Sequence, residues 1–153
     1  MNIVMQIYVD ADACPVKDEA AKVAARHGLG ITYVSNSHMR LPIGEKVERV
    51  VVGGKADEAD DWIVEQAALG DIVVTADVPL AARAHKKGAY VINHNGKAFT
   101  EDSIGMALAM RNLMSQLRET GDIKGTNPVF KSADRSRFLQ SMENTVQAIK
   151  RLM

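Results

Sequence analysis

Short apolar runs alternate with helix-forming stretches along the first two thirds of the chain, and this alternation restricts the possible folds more than any other feature. Five runs predict strands, at 3–9, 31–34, 47–52, 72–75 and 90–92. Three stretches between them predict helices, at 15–28, 57–70 and about 79–86, bounded by proline, acidic or glycine residues. Such alternation predicts an α/β fold with a mainly parallel central sheet of about five strands and helices on both faces.

The pattern changes after Asn93. Apolar residues at helical spacing predict two further helices, at about 102–120 and 134–152, separated by a turn-rich stretch at 121–128. A chain of 153 residues is large enough for one well-packed core. We therefore expect residues 1–153 to form a single domain, with the two C-terminal helices packing on the sheet.

Composition limits the classes of partner. Nineteen basic residues balance nineteen acidic ones, so a binding site for a polyanion has to be a local patch. Cys14 is the single cysteine, which excludes an intramolecular disulfide framework and fits the reducing cytoplasm. The N-terminal segment has no basic region typical of a signal peptide, and no apolar run approaches the roughly 20 residues that span a bilayer. We expect a cytoplasmic protein without a membrane partner.

Acidic residues stand where predicted strands end or predicted helices begin. Six of them are candidate metal ligands: Asp10, Asp12, Glu58, Asp60, Asp61 and Asp77. The carboxyl ends of parallel strands meet at one edge of a sheet, where open α/β folds bind ligands. Carboxylates about 4 Å apart repel each other by on the order of 4 kcal/mol per pair at an effective dielectric constant of about 20. If the acids converge, a bound divalent cation such as Mg²⁺ or Mn²⁺ is expected between them.

Helix capping is the alternative interpretation of these acids. Asp57 and Asp77 each precede a predicted helix, where aspartate is a favoured N-cap residue. Four acids within residues 57–61 exceed what one cap requires, and like charges at helical spacing slightly destabilise a helix. Both interpretations stay open at the level of sequence.

Two levels of resemblance make the metal interpretation more specific. The stretch Gly-Lys-Ala-Asp-Glu-Ala-Asp-Asp at 54–61, followed after a helix by Val-Val-Thr-Ala-Asp-Val-Pro-Leu at 73–80, resembles the metal-binding core of flap endonucleases and PIN-like nucleases. Over nearly its whole length the chain also resembles the bacterial YaiI/YqxD family, which is regarded as PIN-like. The shared stretches include Asp-Ala-Asp-Ala-Cys-Pro at 10–15 and Ala-Met-Arg-Asn at 109–112.

The resemblance implies a three-layer PIN-like fold and a metal-dependent nuclease that acts on RNA. In that pattern Asp10, Asp60 and Asp77 correspond to the central catalytic and metal-binding acids. Glu58 and Asp61 correspond to its supporting acids. The pattern often has a second aspartate where this chain has Pro79, which weakens one of the metal positions, and Asp12 is a candidate to compensate.

Such chemistry also needs cations that position phosphate. The candidates are Arg40, Lys55, Arg111 and Arg135. Arginine is better suited than lysine to this task, because its planar guanidinium can donate two parallel hydrogen bonds to one phosphate. Aromatic residues form only 5% of the chain, so no platform for stacking bases is predicted.

Three other functions remain as alternatives. The strand that ends in Asp10 and Asp12 also resembles the nucleophile and general-acid pair of haloacid-dehalogenase phosphatases, although Cys14 stands where that motif usually has threonine or valine. The second alternative is a non-catalytic PIN-like module that binds metal or RNA. The third is a protein whose acids only cap helices. A homodimer is one possible oligomeric state.

Overall fold

The computed structural model describes residues 5–55, 57–121 and 129–153. Within these ranges, the elements in chain order are β1 (Gln6–Asp10), α1 (Lys17–Arg26), β2 (Gly30–Ser35), β3 (Val47–Val51), α2 (Glu58–Gln66), β4 (Ile72–Val74), α3 (Val78–Lys86), β5 (Tyr90–Ile92), α4 (Glu101–Glu119) and α5 (Ser132–Leu152). Residues 3 and 4 of the first predicted strand and residues 122–128 of the predicted turn lie outside the described residues. All five strands and five helices predicted from the sequence are present.

The five strands form one parallel sheet in the order β3-β2-β1-β4-β5. The chain adds strands on one side of β1 as far as β3, and then adds β4 and β5 on the other side. The direction of strand addition therefore reverses between β1 and β4, where Ile7 lies opposite Ile72. Open α/β sheets bind ligands in the crevice outside the carboxyl ends of the strands at such a switch point.

Helices cover both faces of the sheet, which confirms the predicted three layers. On one face, α1 and α5 bury apolar side chains such as Val23, Phe138 and Met142 against alternate strand residues. On the other face, α2 and α3 bury Ile63 and Leu80 against the intervening strand residues. Strand side chains point to the two faces in turn, so the central strands are apolar on both sides.

The first helix begins later than the sequence predicts. Residues 11–14 form a turn in which the Cys14 N–H donates to the Ala11 carbonyl, and Ala13 has a left-handed φ of 59°. This turn carries the chain away from the sheet edge before helical geometry starts. Pro15 therefore precedes the helix instead of lying in its first turn, and Lys17 is the first helical residue.

The two C-terminal helices have different surroundings. Helix α5 contacts α1 and β5, and four of its residues are buried. Helix α4 contacts α3 and buries only Ile104. None of the helices in the described part of the chain is both long enough and apolar enough to cross a bilayer.

The buried face of α5 provides a test of the core. Met142 is fully buried, whereas Leu152, near the end of the same helix, is 76% exposed. We expect Met142→Ala to lower the free energy of unfolding by about 2–5 kcal/mol, because it removes buried apolar surface and leaves a cavity. Leu152→Ala, the matched control, should change it by less than about 0.5 kcal/mol. Urea denaturation measures both, and equal effects would contradict this packing of α5.

Candidate metal-binding and active site

A hydrogen bond joins β1 to β4 at the switch point. Asp10 is the last residue of β1. Thr75 directly follows β4, the strand that pairs with β1. The buried Thr75 hydroxyl donates to Asp10 Oδ2 at 2.8 Å, and the same hydroxyl oxygen accepts the Asp77 N–H at 3.0 Å. Thr75 therefore fixes the position of the Asp10 carboxylate and of the backbone that leads into Asp77.

The carboxylates of Asp10, Asp60 and Asp77 interact through their charges. Burial raises the pKa of Asp10, the hydrogen bond from Thr75 lowers it, and the charges of Asp77 and Asp12 raise it. Burial likewise raises the pKa of Asp60 from 3.8 to about 6, with Asp77 and Asp10 as the next largest causes. The charge of Asp77 therefore raises the cost of ionising both Asp10 and Asp60, and the charge of Asp10 raises that of Asp60, a pattern that is common at functional sites.

Asp77 also caps a helix, as the alternative interpretation predicts. Its Oδ1 accepts the Leu80 N–H at 2.9 Å at the start of α3. Asp57 occupies the corresponding position before α2, but its side chain makes no capping hydrogen bond. Capping therefore accounts for one oxygen of Asp77, but not for the acids around Asp60.

The three other candidate ligands have local partners. Asp12 Oδ2 accepts the Asn36 N–H at 2.8 Å at the end of β2. The Glu58 carboxylate accepts the Gly53 N–H, and Asp61 pairs with Arg83 at 2.9 Å. Ligation of a metal by Asp12, Glu58 or Asp61 has to compete with these contacts, just as ligation by Asp10 and Asp77 has to compete with Thr75 and Leu80.

The remaining acids fit a hard divalent cation by the chemistry of their donor atoms. Mg²⁺ and Mn²⁺ prefer carboxylate oxygens, and Mg²⁺ is usually held by one or two carboxylates together with several waters. Within residues 5–55, 57–121 and 129–153, no three acidic, histidine or cysteine side chains form a group that could hold a metal ion. A cation at these acids would therefore have to be held by one or two carboxylates, with water completing its shell.

The predicted phosphate-binding cations lie in different places. Arg111 of α4 lines the same groove as Asp77, between the start of α3 and α4. Arg40 and Arg135 line another groove, at the start of α1, and Arg135 is already bonded to the Glu19 carboxylate and the Pro15 carbonyl. Lys55 is exposed in the loop before α2. Of the four candidate cations, Arg111 is therefore the one that shares a groove with a candidate acid, Asp77.

Sequence reasoning missed the role of Thr75. The available signal was the position of Thr75, a hydroxyl side chain directly after a predicted strand. Burial lowers the pKa of His94 to about 4 and leaves it neutral. Burial also raises the pKa of Cys14 to about 11, so its thiol stays protonated and is unsuited to nucleophilic catalysis.

The Thr75 hydroxyl can be tested by isosteric replacement. Thr75→Val keeps the volume of the side chain but removes the donor to Asp10, leaving a half-buried carboxylate without that partner. We expect the free energy of unfolding at pH 7 to fall by about 1–3 kcal/mol, measured by urea denaturation. Thr75→Ser, which keeps the hydroxyl, should lose less, and equal losses in the two variants would contradict the role of this hydrogen bond.

Asp60 provides a test of the charge cluster by pH. Its folded-state pKa of about 6 lies above the ordinary value of 3.8, so its contribution to stability is complete below about pH 4 and is lost as pH rises through about 6. Asp60→Asn should therefore stabilise the metal-free protein at pH 8 by about 1–2 kcal/mol, a value reduced for solvent screening, and should have no such effect at pH 4.

Asp61→Asn is the matched control for this experiment. It removes an adjacent charge that is exposed and paired with Arg83, and should change stability by less than about 1 kcal/mol. Thermal unfolding in a chelating buffer at both pH values measures the two variants. A loss of stability in Asp60→Asn at pH 8 would contradict repulsion among these acids.

Comparison with known proteins identifies the family. Residues 8–148 match the family model described as "Uncharacterized BCR, YaiI/YqxD family". A UPF0178 protein of Parvibaculum lavamentivorans is 64% identical over 146 residues, covering 95% of this chain and 96% of its own length. A UPF0178 protein of Rhodospirillum rubrum is 55% identical over 148 residues, covering 96% and 99% respectively. No solved structure matches the chain. The chain belongs to the YaiI/YqxD family.

Proposed function

We propose that this protein is a divalent-cation-dependent phosphodiester hydrolase of PIN-like type, with RNA as its substrate. The observation that carries the proposal is the convergence of acids at the switch point of the sheet, where Thr75 hydrogen-bonds both Asp10 and the Asp77 backbone and the charge of Asp77 raises the pKa of Asp10 and Asp60. A fold that only needed helix caps there would gain nothing from a carboxylate whose pKa is raised to about 6. A bound cation would offset the repulsion and favour ionisation of Asp10 and Asp60, the two acids whose pKa is raised.

In this proposal the acids supply carboxylate oxygens to the cation. Asp10, held by Thr75, and Asp60, at the start of α2, supply carboxylate oxygens from the two sides of the cluster. Asp77 can use the oxygen that does not cap α3. Mg²⁺ or Mn²⁺, when bound, would lower the pKa of a coordinated water and stabilise negative charge on the phosphate.

Arg111 is the residue that we assign to the substrate. Its position beside Asp77 in one groove allows a guanidinium to hold a phosphate while the adjacent acids bind the cation. Because the whole chain has no net charge, attraction of a polyanion has to come from such a local cation and from the bound metal.

Contacts of Asp12 make the phosphatase alternative weaker. That chemistry needs a protonated Asp12 that donates to a leaving group. Asp12 Oδ2 instead accepts the backbone N–H of Asn36, so that oxygen is engaged and does not donate to a leaving group. A phosphorylated Asp10 trapped during turnover would nevertheless support the phosphatase and contradict the hydrolase proposed here.

The proposal predicts metal-dependent cleavage of RNA. We expect the purified chain to cleave single-stranded RNA with Mn²⁺ or Mg²⁺ and not in excess chelator. Asp10→Asn and Asp77→Asn should lower the rate by at least about 100-fold. Asparagine retains capping ability, so Asp77→Asn should leave α3 intact. Glu65→Gln, which removes an exposed acid at the far end of α2, is the matched control and should retain full activity.

Calorimetry separates the competing outcomes of this assay. Binding of Mn²⁺ without cleavage, lost in Asp10→Asn, would support a non-catalytic module and overturn the hydrolase. Absence of binding at millimolar concentrations of the ion, together with unchanged stability, would favour acids that act only in the fold.

A further inference from the structure

One side of α4 presents a continuous row of apolar side chains to solvent. Met106, Met110, Leu113 and Met114 are between 36% and 75% exposed, whereas Ile104, elsewhere on the helix circumference, is buried. Residues three and four apart lie on the same side of a helix, so these four form one stripe. Large apolar side chains scattered singly over a surface need no explanation, but a contiguous stripe marks an interaction surface.

We propose that this stripe joins two copies of the chain, with their α4 helices antiparallel about a two-fold axis at Met110. Such an axis pairs residues that are equally distant from position 110. Met110 then lies against the partner's Met110, and Met106 against the partner's Met114. The three methionines follow each other at intervals of four residues, and helices that pack along such rows cross at about −50°.

Charges at the two ends of the row identify the occupant as a second copy. Asp102 lies four residues before Met106, and Arg118 lies four residues after Met114, so the full row has an acid at one end and a base at the other. Both are exposed, and neither has an ion-pair partner among the described residues. The antiparallel arrangement brings each Asp102 to the partner's Arg118, whereas a parallel one would oppose like charges.

This interface would also shape the candidate site. The groove that contains Asp77 and Arg111 is lined on its α4 side by Met110 and Met114, which belong to the stripe. A second copy bound to the stripe would therefore form a wall of that groove. The dimer does not depend on the hydrolase function, and its test below requires no activity.

Sedimentation equilibrium on the full chain tests the dimer. We expect a mass twice that of the 16.7 kDa chain in the micromolar range. Met110→Glu should raise the dimer dissociation constant at least about tenfold, because it sets two carboxylates against each other at the axis. Ile43→Glu, at a residue that is 99% exposed in the loop between β2 and β3, is the matched control and should leave the dimer intact. A monomeric wild type would overturn the proposal.

Two further experiments fix the register. Asp102→Arg and Arg118→Asp should each weaken the dimer, and the double exchange should restore it, which also protects the test if Met110→Glu misfolds. Under oxidation, Met110→Cys should cross-link two copies, while Ser115→Cys, on another side of α4, should not; the native Cys14 is buried. A dimer that survives both single exchanges, or that cross-links through position 115 instead, would overturn this interface.

Discussion

The parallel pairing of β1 with β4 is the constraint on which the rest of the structure depends. Because the chain adds strands first on one side of β1 and then on the other, the carboxyl ends of β1 and β4 lie side by side, and the helices that follow them, α1 and α3, pack on opposite faces of the sheet. The hydrogen bond from Thr75 to Asp10 closes this junction. Helices α2 and α3 cover one face beside it, so that Asp60 and Asp77 arrive at the same edge.

Burial of the ionised carboxylates at this junction, together with repulsion between them, opposes folding. Burial and neighbouring acids raise the pKa of Asp10 and Asp60, so ionising them costs free energy that the apolar layers on both faces must supply. A fold selected only for stability would place amides or alanine there. Under the proposed function, a bound cation would offset this cost.

Local sequence signals predicted the layers and part of the site. Uninterrupted Val/Ile runs bounded by glycine located β4 and β5, and the aspartate before Pro79 located the start of α3. Long-range contacts were beyond such signals. The partner of Arg135 is Glu19, 116 residues away, so a predicted phosphate-binding residue is instead bonded to α1. The helical spacing in α4 correctly predicted a helix, but could not show that its methionines face solvent.

The most direct test of the central claim is an anomalous difference map from a crystal soaked in Mn²⁺. The account predicts a peak within about 2–2.5 Å of carboxylate oxygens of Asp10, Asp60 or Asp77, with coordinated water completing the shell. A well-ordered map in which these carboxylates are clearly defined, face solvent separately and have no peak beside them at saturating Mn²⁺ would contradict it.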